Sequence, residues 1–344
     1  MVGKSLRSRD SETSWEKAKE VAAIIGTPHR LFVQAVRDLR TIGEGGGARK
    51  RMLESSSIIT LFRSESFKTV VYFAAKALYG ESVGAKPMNG GDLIMTFSPE
   101  DLASVIAATH LHRMTAKKVP PKIWQDVADE VNIQMQTGIH VGTEVDSIGR
   151  PIGLLMGAVR YLAFALVAST NESIYRNFRR ELVGKDKLFD TRGELAAWGC
   201  HHLQVSALVV QSLGYGIAPA TGIAADSMPD AVEAGEMAQR WFAARRWIES
   251  MLEEERIPVE FSPESKFGLA ELTKIARIQR QVDDLYAQES SICWINKKRG
   301  ALDSTIAAQL RSFYNDPNEA LEVTGVVGAK SETEAEAIVA DAFE

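Results

Sequence analysis

The amino-acid sequence predicts an all-α protein, and three observations carry that prediction. Apolar residues recur at spacings of three and four along nearly the whole chain, the period of a helix with one buried face. No stretch alternates apolar and polar residues in the period-two pattern of a half-buried strand. Proline and glycine breaks cut the chain into pieces of helical length.

Taken in order, Val21, Ile24 and Ile25 close a first helix before the Gly26-Thr27-Pro28 break. Leu31, Phe32, Ala35, Val36 and Leu39 define a second, ended by the glycine-rich stretch 43–47. Arg49-Lys50-Arg51 follows as a basic loop or helix start. Ile58, Ile59, Leu61 and Phe62 mark one more helix, and Phe67 to Leu78 another that stops near Gly80. Ser98-Pro99-Glu100-Asp101 is a helix start: a capping serine, a proline whose missing N–H costs nothing in the first turn, then acids facing the positive helix end. Pro120-Pro121 breaks the chain, and a helix runs from Lys122 to about Gln136. Thr137 to Pro151, with Gly138, Gly142 and Gly149, reads as a long loop. Residues 152–168 read as a buried helix, 170–190 as a charged stretch of undecided form, and 192–213 as one helix ending at Gly214.

Beyond Pro229 two long amphipathic helices are predicted, over 230–257 and 266–290. Trp241, Ala244, Trp247, Ile248, Met251 and Leu252 line the first. Leu269, Leu272, Ile275, Ala276, Val282, Leu285 and Tyr286 line the second. Each apolar stripe needs something to lie on. A shorter helix is expected near 303–314, and Ser331-Glu332-Thr333-Glu334 reads as the capping box of a last one.

Composition narrows the class. The 344 residues allow about two domains, and 45% hydrophobic with 25% charged residues is a globular balance. The net charge of −5 gives no global pull toward nucleic acid or anionic lipid. Residues 316–344 hold eight acids against Lys330 alone, an acidic tail that leaves the rest of the chain slightly basic. A solvated end is the simpler reading of that tail, a partner-binding arm the sharper one. Two cysteines, Cys200 and Cys293, make no disulfide framework. The polar N-terminus lacks the apolar core of a signal peptide, so a cytoplasmic protein is expected. The longest apolar run, Ile152 to Ser169, is interrupted by Arg160 and reads as buried core instead of a membrane span.

Four segments, in order, resemble the HDOD family, the HD-related output domains of bacteria. Phe62-Arg63-Ser64-Glu65-Ser66-Phe67 leads to Ala77 and Tyr79, with Ala75-Lys76 where the family has Asn-Ser. Met95-Thr96-Phe97-Ser98 leads through Leu102 and Ile106 to Leu111. Gly153-Leu154-Leu155-Met156-Gly157 is similar to the Gly-Leu-Leu run that enters the His-Asp metal pair of HD phosphohydrolases. Glu194 followed by Trp198-Gly199-Cys200-His201-His202 and Val205 is similar to a Glu…Gly-x-x-His-x-x-Val helix, with His202 at the histidine. The resemblance spans about residues 25 to 230.

The departures concern chemistry. Met156 and Gly157 stand where the His-Asp pair would be, and neither offers the oxygen or imidazole donor a hard cation needs. Ala220 to Met228 holds no histidine where the family tends to carry a His-His pair. Gly214-Tyr215-Gly216 lacks the proline of the Gly-Tyr-Pro signature found in the cyclic-dinucleotide phosphodiesterase branch.

The other candidate sites have plainer readings. His201 and His202, adjacent on one helix, point about 100° apart and do not chelate one ion. His110 and His112 match no zinc spacing. The glycines at 43–47 with Arg49-Lys50-Arg51 lack the strand and the Gly-Lys-Ser/Thr ending of a phosphate loop, and read as a hinge beside a basic patch. Arg240 to Trp247 has the residue types of a base-stacking surface, but a helix docking its aromatic face is the simpler reading.

The expected architecture is an N-terminal helical bundle (about 15–120), an HD-like helical bundle (about 121–230), a C-terminal helical extension (231–315) and the acidic tail (316–344). The expected function is non-enzymatic signal transduction: a scaffold that binds a protein partner of a signalling cascade or a small ligand, with no cofactor, no metal, no membrane and no nucleic acid. Candidate contact residues are Met156, Gly157, Glu194, Trp198, His202, Arg49, Lys50 and Arg51. One alternative is a metal-dependent phosphohydrolase using His140, Glu144, Asp146 and His202. The other is a nucleic-acid or cyclic-nucleotide binder using Arg49 to Arg51 and Trp241 to Trp247.

Overall fold

The computed structural model describes residues 2–43, 47–230, 232–253, 271–287 and 294–314, with 256, 259, 261 and 265–268; side chains are described from residue 12 onward, except at 49. Sixteen α-helices and no strand occur among the described residues, so the protein is all-α. In chain order they are α1 (Val2–Ala22), α2 (Arg30–Gly43), α3 (Ala48–Glu54), α4 (Ser56–Leu61), α5 (Glu65–Tyr79), α6 (Gly90–Met95), α7 (Pro99–Lys118), α8 (Pro121–Glu144), α9 (Arg150–Ser169), α10 (Glu172–Gly184), α11 (Thr191–Trp198), α12 (His202–Val210), α13 (Ile217–Ala224), α14 (Gly235–Leu252), α15 (Leu272–Ala287) and α16 (Ser304–Gln309).

Two compact units form. One takes the described residues of 1–27 and 115–291, the other those of 28–114 and 292–344. The sequence predicts α1 in the N-terminal bundle and everything after 230 as an extension. In the structure α1 packs on α12 and α9, and α14 packs on α8, α9 and α13 within the same unit. The apolar stripe of α14 explains this: Trp241, Ala244, Trp247, Ile248, Met251 and Leu252 are all buried, and such a face is stable only against a core. The final described segment belongs to the other unit. There the Gly90 and Gly91 amides donate to the carbonyls of Ser312 and Phe313, at 2.8 Å each, and Phe313 packs edge-on to Phe62.

The smaller unit is built as its sequence signals suggest. Phe32, Ala35, Val36 and Leu39 form the buried face of α2, and Phe32 stacks on His110. Helix α7 starts at Pro99. Ser98 Oγ accepts the Asp101 amide at 3.0 Å, and Tyr79 Oη donates to Asp101 at 2.6 Å. Arg51 Nη2 donates to the Ile42 carbonyl at 2.9 Å, tying α3 to the end of α2, and Lys50 makes an exposed pair with Glu54.

In the larger unit the most extensive pairing is between α8 and α9. Here the expected loop from Thr137 to Pro151 is overturned. Helix α8 continues to Glu144, and only Val145 to Gly149 turns the chain. The glycines that suggested a loop are contact points. A Cβ at Gly138 would overlap the Gly153 carbonyl, one at Gly153 the Gly138 carbonyl, one at Gly142 the Gly149 carbonyl, and one at Gly157 the Gln134 carbonyl. Two backbones approach directly at these positions, which only glycine permits. Helix α9 is long and apolar enough to cross a bilayer by composition, yet 89% of its apolar window is buried inside this unit.

Three further expectations change. The stretch 170–190 contains α10, with Tyr175, Phe178 and Leu182 as its buried face, a spacing of three and four hidden among charges. The single helix 192–213 is two helices: α11 ends at Gly199 in the left-handed region (φ 77°), and α12 starts at His202. On α15 the buried stripe is Ile275, Ile278, Val282 and Leu285, while Leu272 and Tyr286 are exposed. Leu269, Cys293, the proposed capping box at Ser331 and the acidic tail lie outside the described residues.

The glycine contacts give a paired test. Gly157→Ala should lower the free energy of unfolding by about 2 kcal/mol or more, because backbone must move to admit the methyl. Gly184→Ala, with nothing within 4 Å of its would-be Cβ, should leave stability unchanged or raise it by up to about 1 kcal/mol. Urea denaturation measures both; equal effects would refute the close-approach account.

Candidate functional site

The larger unit contains a cavity of about 620 Å³, within the usual range for a small-molecule site. Its walls come from α8 (Glu130), α9 (Arg160), α10 and the following turn (Arg179, Phe189), α12 (His202) and α14 (Arg246, Glu249). Exposed Val183, Lys185, Asp186 and Lys187 form its rim.

The centre of the site is a buried pair, Glu194 and His202. Glu194 is 0% exposed and His202 1%. Asp190 caps α11 by accepting the Gly193 amide. Gly199 then reverses the chain so that Glu194 faces the start of α12. The Glu194 carboxylate accepts the His202 amide at 2.7 Å and lies 2.8 and 2.9 Å from His202 Nδ1. An acid at this point also offsets the positive end of α12. With Nδ1–H donating to Glu194, the other ring nitrogen, Nε2, is the bare acceptor. It has no partner among the described residues. Burial pushes the His202 imidazole below its ordinary value, against the pull of Glu194, and nearby Arg160 pushes the same way. Burial thus favours the neutral ring. Phe189 stacks on it, ring centroids 4.0 Å apart.

Arg160 is the second unusual group. It is 1% exposed, on the most apolar helix of the chain. Its Nη2 pairs with Glu249 at 2.9 Å, and its guanidinium lies over Phe189 at 4.4 Å. Its Nε and Nη1 have no partner among the described residues. Burial lowers its pKa, and Glu249 and Glu194 offset only part of that; an arginine in such a place stays protonated. Glu249 also receives Arg246 at 2.8 Å and Arg245 at 3.9 Å. Burial raises the Glu249 carboxyl, but Arg160, Arg245 and Arg246 together outweigh it and hold it below its usual range. Arg245 is further held by the carbonyls of Ile223 and Ala225. Also in the cavity lining, Arg179 donates to Tyr161 Oη at 2.9 Å and pairs with Glu130 at 3.5 Å.

Of the predicted contact residues, Glu194 and His202 are brought together and His202 reaches the cavity. Trp198 lies behind them, edge-on to Phe178 at 4.7 Å, in an aromatic cluster with Phe164. Met156 and Gly157 do not line the cavity. Met156 is fully buried, and Gly157 meets α8 backbone; the wall residue from α9 is Arg160 instead. Lys50 and Arg51 belong to the other unit. The adjacent histidines are not on one helix: His201 has extended backbone (φ −127°, ψ 161°) and precedes α12. His140 and Glu144 sit on α8, and Glu144 is taken by Arg277 at 2.8 Å. No group of three His, Cys, Asp or Glu side chains placed to hold a metal occurs among the described residues. Trp241 and Trp247 are core residues, with Trp247 Nε1 donating to the Phe267 carbonyl at 2.8 Å, so neither offers a surface for stacking bases. Sequence reasoning missed Arg160, Arg246, Glu249 and Phe189. One signal was legible: a lone arginine in an apolar run is a buried charge that needs a reason.

Two measurements check this geometry. Glu194→Ala strands two buried donors, the His202 amide and Nδ1–H, and should cost about 2–4 kcal/mol; Glu194→Gln keeps an acceptor and should cost less. Urea unfolding of both variants decides it, and a neutral Glu194→Ala would sink the dyad. The second concerns pH. Burial holds His201 at about 4 in the folded protein, against an unfolded value near 6.5. The unfolded chain therefore binds the proton first, and stability falls as pH drops from about 6.5 toward 4, by up to about 1.4 kcal/mol per pH unit for this histidine. His201→Gln should flatten that slope by about one proton; an unchanged slope would contradict the burial of the ring.

No family model matches this chain, and neither a curated protein nor a solved structure matches it, so the site is read from its own residues.

Proposed function

We propose that this chain is a bacterial, cytoplasmic regulatory protein of HDOD type that acts by binding, with the cavity of its larger unit as a small-molecule site through which a partner protein is controlled. The observation that carries the reading is that two residues lining the cavity hold buried polar atoms with no partner among the described residues: His202 Nε2, and the Nε and Nη1 of Arg160. Buried polar groups without partners are costly, and a ligand that satisfies them is stabilised by the difference. A non-catalytic role is favoured by the residue types at the family's metal positions: Met156 and Gly157 supply no donor, and Gly157 is committed to helix contact. The order of the four resembling segments supports the family assignment.

The Glu194–His202 dyad with a bare Nε2 is also the arrangement of a general base, which keeps hydrolysis as the competing reading. A single set of assays separates them. The full chain, incubated with a small-molecule extract of bacterial cells and passed into native mass spectrometry, should retain a compound of metabolite size. The same protein, supplied with manganese or magnesium, should not hydrolyse bis(p-nitrophenyl) phosphate. Turnover that disappears in His202→Asn would overturn the binding reading in favour of an enzyme.

A further inference from the structure

Resting on the reading of this cavity as a ligand site, we infer that its ligand is a phosphate monoester of a small metabolite, bound through a phosphate that still carries one proton. The charged lining of the cavity carries a slight excess of positive charge. Buried Arg160 and Arg245 and half-exposed Arg246 converge on the single carboxylate of Glu249, and among the charged residues that line the cavity Arg160, Arg179, Lys185, Lys187 and Arg246 outnumber Glu130, Asp186, Glu249 and Glu253 by one. Arg160, at 1% exposure, has two further nitrogens without partners among the described residues, in a setting of low dielectric where an incoming anion is held strongly. At the rim Lys185 and Lys187 stand with the acid Asp186 between them.

The second requirement comes from His202. Its Nδ1 faces the Glu194 carboxylate, so Nε2 offers a lone pair and no hydrogen. A ligand that satisfies the whole site must present anionic oxygens to the guanidinium and an O–H to Nε2. A carboxylate or a sulfate near neutral pH supplies only the first. A monoprotonated phosphate supplies both, and its second ionisation lies close enough to neutrality for that form to be populated. The cavity of about 620 Å³ is far larger than a phosphate group, which leaves room for the organic part of the ester.

Isothermal titration of the full chain with inorganic phosphate and, separately, with sulfate near neutral pH tests this. Phosphate should bind, and at least about tenfold more tightly than sulfate, the discrimination expected when a buried group is left unpaired by the analogue. Arg160→Met should abolish phosphate binding. Glu249→Gln removes the carboxylate that competes for the arginines and should tighten it severalfold, a gain that a misfolded variant would not show. His202→Asn should erase the preference for phosphate over sulfate. Equal binding of the two anions, or loss of affinity in Glu249→Gln, overturns the inference. Vesicles containing phosphatidic acid should not compete with inorganic phosphate; competition would assign the phosphate to a lipid headgroup and overturn the metabolite. If neither anion binds while the cell extract still yields a retained compound, this inference fails and the ligand-site reading stands. If the extract also yields nothing, both fail.

Discussion

The direct approach of two helix backbones, α8 and α9, is the constraint on which the larger unit is built. Gly138, Gly142, Gly153 and Gly157 leave no side chain between them. The consequence is more than tight packing. Helix α9 is locked in rotation about its axis, because any turn would bring a side chain into the contact. That lock presents Arg160, three residues beyond Gly157, to the cavity, and it buries the apolar residues of α9 on every other side. Each large apolar side chain so buried contributes about 1.5–3 kcal/mol, enough to offset a charged residue placed among them.

The charge in question is the costly element of the design. A guanidinium taken out of water loses several kcal/mol of hydration, and one ion pair seldom restores it in full. Arg160 recovers part through Glu249 and part through the face of Phe189, and leaves two nitrogens unmet. The Glu194–His202 dyad repeats the pattern: one side of the imidazole is fully satisfied and the other is open. Both groups sit on short or rigid elements held by the aromatic cluster of Phe164, Phe178, Phe189 and Trp198. The unmet atoms are thus fixed in place before any ligand arrives, which reduces the ordering cost of binding.

Glycine was the residue most easily misread from sequence. The three between Thr137 and Pro151 carry the composition of a loop, and two of them are helical contact points; only Gly149, with φ 83°, turns the chain. Conversely Gly199 looked like helix interior and is a left-handed stop. The difference is not local. A glycine in a helix is unfavourable by itself, and what reverses the balance is the facing helix, which no window of one chain segment contains. The same holds for α14. Its aromatic stripe was legible, but its seat on α8, α9 and α13 was not, so it read as an appendage instead of a wall of the site.

The sequence by itself determined the helical class, most helix starts and the buried stripes, because each depends on periodicity and capping within a few residues. It also singled out Glu194 and His202, through the spacing that resembles a known family. Tertiary structure alone decided that these two residues meet, that Met156 and Gly157 face helix packing instead of the cavity, and that Arg160 and Glu249, 89 positions apart in the chain, share one ion pair. Burial, charge balance and the state of an imidazole are properties of what surrounds a group, and those surroundings are assembled only when distant helices close on one another.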